Sequence, residues 1–297
     1  MNFFRNIVIQ NIMTTIALPR LALIGYGAIG AEIEACLKRL GETDRLVAVL
    51  VRPGRSAPAA VHDVEALIAA RPEVVIECAG HEAALAYCRP LLRAGIDVLL
   101  SSIGILSDDA VLADLTQAEA EGGGRLLLGA GAVAGLDGLT AAALAGVDAV
   151  TYLSYKPPHA WRGTLAEQTI DLDHEVEEVV FFQGSARQAA RDYPKNANVA
   201  IAVALSALGP DRTQVKLVSS RKVTDPLGVI EAEGAFGRFR FEVLALAAPS
   251  NPKTSALTAY SLLQCVRLDA GLPVLLLPGV KTIAMFTHAD RFAETRA

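Results

Sequence analysis

Short apolar runs alternate with helical patterns over the first half of the chain. Leu21–Ile24, Leu46–Val51 and Glu73–Cys78 are dominated by apolar residues and have the length of strands buried on both faces. Asp97–Leu100 and Leu126–Leu128 continue the series, and segments with helical spacing separate the runs. This alternation predicts an α/β fold, a Rossmann-type doubly wound parallel sheet.

The pattern changes after residue 137. Longer apolar stretches with some alternation favour a second, mixed α/β domain that binds substrate and forms a dimer. The predicted strands there are Val150–Tyr155, Glu178–Phe182, Gln214–Val218 and the stretch from Ile230 to Val243, and the predicted helices are Ser185–Asp192, Asn198–Leu208 and Asn251–Cys265, the last entered through a loop.

These patterns suggest four segments. Residues 1–18 are predicted to be an N-terminal extension, 19–137 the dinucleotide-binding domain, 138–250 the substrate and dimerisation domain, and 251–297 a helix that returns to the first domain followed by a tail. The first 18 residues faintly resemble a signal peptide, but they contain no small-residue cleavage site. Met13 is a natural start, so we expect residues 1–12 to be poorly ordered.

The first predicted strand leads directly into a glycine motif. Gly25, Gly27 and Gly30 form G-x-G-x-x-G, and Ala28 and Ile29 begin the helical pattern that Gly41 ends. In this context the first glycine permits a tight turn, the second lets a pyrophosphate approach the backbone, and the third lets helix and strand pack closely. We therefore predict a dinucleotide cofactor here, the alternative being a tight turn without a ligand.

The end of the second strand bears on which dinucleotide binds. NAD-specific folds usually place Asp or Glu there to bond the ribose 2′-hydroxyl. This chain has Val51, followed by Arg52 and Arg55. Since arginine pairs well with phosphate, Arg52 favours NADP, or use of both cofactors, unless the two arginines are simply solvated.

Ligands of doubly wound sheets bind beyond the carboxyl ends of the strands. The turns at 79–81, 101–103 and 130–135 are therefore expected to line the nicotinamide side, with Ala79 and Gly80 as cofactor contacts. His81 either faces the cofactor or is a polar loop residue.

Composition excludes several classes of protein. The 297 residues are 52% hydrophobic, but the longest stretch without a charge, Asn196–Pro210, has only 15 residues. A membrane-spanning helix needs about 20 apolar residues. The net charge is −5 and aromatic residues make up 5%, which argues against a nucleic-acid partner.

Cysteine and histidine positions give no metal signature. Cys36, Cys78, Cys88 and Cys265 form no C-x-x-C pair, so we expect reduced thiols in a cytoplasmic protein and no metal. His174 lies in an acidic run that is interpreted as a solvated surface in preference to a metal site.

Several segments along the chain match one known family. They are Gly25–Gly30, Val75–His81, Gly131–Asp137, Lys156–Pro158 with Trp161, Pro194–Ala200, Ile230–Gly237 and Asn251–Tyr260. The lysine–asparagine segment and Asn-Pro-Lys-Thr-Ser are far more specific than the glycine loop. On these segments, the chain resembles the L-aspartate dehydrogenase family over roughly residues 19–267.

The resemblance implies oxidation of L-aspartate with NAD or NADP to iminosuccinate, which hydrolyses to oxaloacetate and ammonia. The reverse reaction is reductive amination, and the imine can feed NAD biosynthesis. By position, Ala132 and Asn198 would contact the cofactor. A dicarboxylate substrate calls for cations and amide donors, which Lys156, Lys195 and Asn196 could supply.

One position departs from the family. The catalytic histidine of the family falls on Gly228 here. Either His159 or Lys195 takes over proton transfer, or the protein reduces a different small imino or oxo acid, or it is a catalytically weak NAD(P)-binding regulatory protein. A homodimer is the expected assembly.

Overall fold

Two large β-sheets organise the part of the chain that a computed structural model describes, residues 18–173, 177–248 and 251–271. The predicted N-terminal extension up to residue 17, His174 and the tail beyond 271 lie outside these residues. Within them, no helix combines the length and the apolar character that crossing a bilayer would need.

The first sheet is built from residues 21–128, and every strand pair in it is parallel. Its strands are β1 (Leu21–Ile24), β2 (Leu46–Leu50), β3 (Ala60–Val61), β4 (Val74–Glu77), β5 (Asp97–Leu100) and β6 (Leu126–Leu128), and its helices are α1 (Ala28–Leu40), α2 (Val64–Ala69), α3 (His81–Arg93) and α4 (Asp109–Gly122). The order β3-β2-β1-β4-β5-β6 confirms the predicted Rossmann-type sheet.

Both faces of this sheet are buried. Neighbouring residues of one strand belong to different apolar clusters: Ala22 and Val75 lie on one face, Leu23 and Ile76 on the other. Burial of each Leu, Ile or Val side chain contributes about 1.5–3 kcal/mol. Double-sided burial explains why these strands have continuous apolar sequences and no alternation. The sequence missed β3, which is too short to show a periodicity.

The second sheet has the order β11-β10-β7-β9-β8 and is mixed, since only β7 and β9 run parallel, which confirms the predicted class. Its strands are β7 (Val147–Lys156), β8 (Glu178–Ser185), β9 (Gln214–Ser220), β10 (Leu227–Gly234) and β11 (Gly237–Leu244), and its helices are α5 (Leu136–Ala145), α6 (Ala186–Asp192) and α7 (Asn198–Leu205).

Two details of the second half differ from prediction. The stretch from Ile230 to Val243 is not one strand but the hairpin of β10 and β11, which reverses before Gly237 at φ +106°. Helix α7 ends at Leu205, three residues earlier than predicted. The start of α6 agrees with the prediction, because Ser185 and Gln188 form its capping box.

The C-terminal segment starts as a strand. Residues 251–255 form β13 (Asn251–Ser255) beside β12 (Ala247–Ala248), so the predicted helix over Asn251–Cys265 was wrong at its start. Helix α8 (Ala256–Leu268) begins where the Ser255 side chain accepts a hydrogen bond from Leu257 N. It packs on α1, where the Tyr260 hydroxyl donates to Glu32 at 2.8 Å.

Short 3₁₀ helices connect these elements. Two of them, 103–107 and 194–196, bring residues to the cleft described below. Within the described ranges, the 3₁₀ helices are Thr43–Arg45, Ile103–Ser107, Pro158–Trp161, Leu165–Gln168 and Pro194–Asn196.

Candidate active site

The glycine motif forms the turn from β1 into α1. Gly25 has φ +94°, and a Cβ there would lie 2.7 Å from Ala79 Cβ. A Cβ on Gly30 would lie 2.7 Å from the Gly25 carbonyl oxygen, whereas Gly27 has nothing within 4 Å of such an atom. Gly25 and Gly30 are therefore required for packing, and Gly27 leaves space open.

The start of α1 can accept a phosphate group. Gly27 caps the helix without a side-chain hydrogen bond, and the first turn, which contains Ala28 and Ile29, carries no acidic residue. Its backbone N–H groups and the positive end of the helix dipole suit an anion. The open space at Gly27 and these donors together fit a dinucleotide pyrophosphate.

A buried acid that was not predicted as a site residue holds the neighbouring turns. Glu77 at the end of β4 is fully buried, and its carboxyl group accepts hydrogen bonds from Ala79 N and Gly80 N at 2.8 Å and from Ser102 N at 3.0 Å. Glu77 thus fixes the two loops that follow β4 and β5. The signal for Glu77 in the sequence was its position as a single acidic residue at the end of an apolar run.

A cleft of about 170 Å³ lies between the two sheets. The first sheet supplies Ile29 and the loops at 101–103 and 129–132, at the carboxyl ends of its strands, whereas the turn at 79–81, with the predicted contacts Ala79 and Gly80, is not part of the cleft lining. The second half supplies polar side chains facing these loops: Tyr152, Ser154, Lys156, Lys195, Asn196 and Asn198. In the described residues, no His, Asp, Glu or Cys lines this cleft.

Lys156 is held rigidly. It is 9% exposed, its Nζ donates to Asn196 Oδ1 at 2.7 Å, and the same atom lies 5.1 Å from the centre of the Trp161 ring. The Trp161 indole is itself fixed by a hydrogen bond to Val218 O at 3.1 Å. The ammonium group therefore has a defined position, stabilised by an amide and an aromatic face.

Asn198 connects the two halves. Its Oδ1 accepts from Gly104 N at 2.9 Å and lies 3.1 Å from His81 Nε2. Because the Gly104 N–H must donate to an oxygen, the amide atom facing it is Oδ1. The same oxygen can only accept from His81, so in this contact Nε2 of His81 carries the proton. The amide nitrogen is then the group that Asn198 can offer to a ligand. His81 does not line the cleft and acts on it through Asn198.

The two candidate proton-transfer residues occupy different places. Lys195 is exposed and lines the cleft beside Asn196. His159 is exposed in the 3₁₀ helix Pro158–Trp161 and is not among the residues that line the cleft. The structure therefore brings Lys195, and not His159, to the other polar residues.

Gly228 also lines the cleft, on β10 opposite Ser154 of β7. A Cβ at Gly228 would lie 3.4 Å from the Tyr152 hydroxyl oxygen, an ordinary contact distance. Tyr152 was not predicted as a site residue. The signal was the polar alternation of Tyr152, Ser154 and Lys156, which places all three on one face of the strand.

The cysteines are unpaired, as predicted. Cys88 is buried and the other three are partly buried. Burial raises the pKa of the Cys78 and Cys88 thiols, so neither is a nucleophile at neutral pH. Among the described residues, no group of three His, Cys, Asp or Glu side chains is placed to hold a metal ion.

Comparison with known proteins places this arrangement in a family. The family model "Aspartate dehydrogenase, C-terminal" matches residues 137–268, and "Homoserine dehydrogenase, NAD binding domain" matches residues 25–129. L-aspartate dehydrogenase of Ruegeria pomeroyi is 44% identical over 254 residues, which are 84% of this chain and 91% of the relative. The chain belongs to the L-aspartate dehydrogenase family.

Further comparisons agree with this assignment. The L-aspartate dehydrogenase of Cupriavidus necator is 39% identical over 255 residues, which cover 82% of this chain and 95% of the relative. The crystal structure of aspartate dehydrogenase from Thermotoga maritima shares the fold, with a TM-score of 0.65 at 23% identity, over 84% of this chain and 95% of that one. The predicted family of oxidoreductases and the nicotinamide cofactor class are thereby confirmed.

Proposed function

We propose that this protein interconverts L-aspartate and iminosuccinate by hydride transfer with NAD(P). The observation that carries the proposal is the cleft itself, which places two lysines and two asparagines opposite the loops at the carboxyl ends of the parallel strands. The family membership adds the substrate class. A bound nicotinamide cofactor supplies the hydride acceptor or donor.

The cofactor is assigned to the first sheet. Its pyrophosphate would lie at Gly27, Ala28 and Ile29, between the packing glycines Gly25 and Gly30. Ala79 and Gly80, positioned by Glu77, and Ala132 and Asn198 complete the proposed contacts.

The substrate is assigned to the second half. Two carboxylates need two positive groups at defined separation. Lys156, immobilised by Asn196 and Trp161, suits one carboxylate, and the exposed Lys195 suits the other. This pair favours a dicarboxylate over an amino acid with an apolar side chain.

The finer cofactor preference is proposed to be NADP, or use of both cofactors. Arg52 and Arg55 are exposed just beyond β2, and positions 51–55 carry no acid that would repel a 2′-phosphate. We also propose a homodimer in the cytoplasm, with the segment boundaries given above. Light scattering of the purified protein tests the assembly.

The activity is tested by oxidation of NADPH and NADH with oxaloacetate and ammonia, and by the reverse reaction with L-aspartate. Turnover with oxaloacetate supports the proposal. Turnover only with other oxo or imino acids supports a reductase of a different acid, which the lack of histidine in the cleft lining also favours. Tight cofactor binding without turnover on any substrate supports a regulatory protein and contradicts the enzyme.

A further inference from the structure

The Tyr152 hydroxyl lies beside Gly228, and both residues line the polar cleft. Strand β7 presents Tyr152, Ser154 and Lys156 on one face, and all three line the cleft. The adjacent strand has Ile230 opposite Tyr152 and Gly228 opposite Ser154, and the phenol oxygen lies 3.4 Å from where a Gly228 Cβ would be. Because Gly228 has no side chain and also lines the cleft, the hydroxyl lies next to the space available to substrate.

Few groups in the cleft can donate or take a proton. Among the described residues that line it, only Tyr152, Lys156 and Lys195 titrate. The Lys156 ammonium is engaged by Asn196 and the Trp161 ring, and Lys195 is exposed to water. Tyr152 is 5% exposed, so its hydroxyl is the one buried, neutral donor of the three.

The surroundings keep the phenol protonated. Burial raises the pKa of Tyr152 to about 12, and a hydrogen bond with Ser154 partly opposes this increase. At neutral pH the group is therefore a hydrogen-bond donor and not a base. A fixed donor aimed at the position where charge develops stabilises that charge during a reaction.

We propose that Tyr152 is a catalytic residue whose hydroxyl donates a hydrogen bond to the substrate nitrogen during hydride transfer. The proposal rests on the function proposed above. In the reductive direction the imine carbon receives the hydride, the π electron pair of the C=N bond moves onto nitrogen, and solvent supplies the proton that completes the amine. Tyr152 stabilises the electron pair on nitrogen, and in oxidation it binds the nitrogen before the C–H bond breaks.

The decisive variant is Tyr152→Phe, with Tyr155→Phe as its matched control. Tyr155 is on the same strand but faces the opposite side and does not line the cleft. Loss of one preorganised donor typically costs about 10²–10³ in kcat. We expect Tyr152→Phe to lower kcat about 100-fold and to leave the dissociation constant of NADPH unchanged, and Tyr155→Phe to retain the wild-type kcat.

A double-mutant cycle separates a catalytic role from a structural one. An imidazole from Gly228→His enters the cleft beside Tyr152 and can donate in its place. Tyr152→Phe should then cost less than about 5-fold in the Gly228→His background. An equal loss in both backgrounds shows that Tyr152 acts structurally and overturns the proposal, as does a Tyr152→Phe kcat within 3-fold of wild type.

A second variant keeps the proposal testable if Tyr152→Phe folds poorly. Ser154→Ala leaves the phenol ring in place and removes only its hydroxyl partner, so we expect a smaller fall in kcat with unchanged NADPH binding. An unchanged kcat for Ser154→Ala contradicts the proposal. Lack of turnover by the wild-type protein on every substrate instead refutes the proposed function, so the two failures are distinguishable.

Discussion

The two sides of the cleft are built on different principles. The cofactor side is mostly backbone, where Gly25 and Gly30 allow close packing, Gly27 leaves room and helix α1 offers N–H groups. The substrate side consists of side chains from β7, β10 and the 194–198 segment, far apart in sequence. A backbone site fails through strain when a residue is changed, whereas a side-chain site fails through the loss of one chemical group.

The largest expected effect on stability is on the cofactor side, at Glu77, a side chain that supports loops otherwise made of backbone. Glu77→Ala removes a fully buried side chain that accepts from three backbone N–H groups, of which that of Ser102 is buried and those of Ala79 and Gly80 are partly buried. Since each unsatisfied buried donor costs about 1–3 kcal/mol, we expect a loss of about 3 kcal/mol or more in the free energy of unfolding.

Urea denaturation measures this loss. Glu77→Gln is the control, since it keeps the oxygen that serves Ala79 and Gly80 and should cost less than Glu77→Ala. Equal stability of Glu77→Ala and wild type would show that backbone geometry alone supports these loops.

Substitutions of Gly30 and Gly27 test two different roles, close packing at Gly30 and space for the cofactor at Gly27. Gly30→Ala forces a methyl group to within 2.7 Å of the Gly25 carbonyl oxygen, so we expect a loss of about 1–3 kcal/mol in stability. Gly27→Ala meets nothing within 4 Å and should keep the melting temperature, but weaken cofactor binding at least tenfold. Calorimetry and NADPH titration of both variants check this. A lower melting temperature for Gly27→Ala would contradict the assignment of that space to the cofactor.

On the substrate side, Lys195→Ala tests whether a single group acts independently. We expect a rise of about tenfold in KM for the dicarboxylate, equivalent to about 1.4 kcal/mol, with an unchanged melting temperature. His159→Ala, outside the cleft lining, should change KM less than twofold. Steady-state kinetics of the two variants measure both changes in KM. A larger rise in KM for His159→Ala than for Lys195→Ala would show that His159, and not Lys195, contacts the substrate.

The smallest expected effect is at the rim of the cofactor side. Arg52→Ala removes an exposed cation beyond β2, so we expect the dissociation constant of NADPH to rise about 3–5-fold, in line with a solvated ion pair of up to ~1 kcal/mol. The NADH constant should not change. Equal changes for both cofactors would argue against a 2′-phosphate contact.

The first sheet was largely predictable because its strands are buried on both faces. Continuous apolar runs at Leu21–Ile24 and Asp97–Leu100 mark such strands, and the glycine spacing marks the turn between β1 and α1. Ala60–Val61 was missed since two edge residues show no pattern. In the second sheet, one face of β11 is largely exposed, so its sequence lacks a clear apolar pattern. The hairpin of β10 and β11 was therefore predicted as a single strand.

The sequence by itself determined the fold class, the glycine turn and the polar residues of the 194–198 segment, because local sterics and hydrophobic periodicity depend on neighbours along the chain. Only the tertiary structure decided which polar side chains meet. It joined Lys156 to Asn196, fixed Asn198 through Gly104 and His81, and left His159 outside the cleft. It also placed Tyr152 beside Gly228, since strand pairing brings together residues that sequence spacing leaves unrelated.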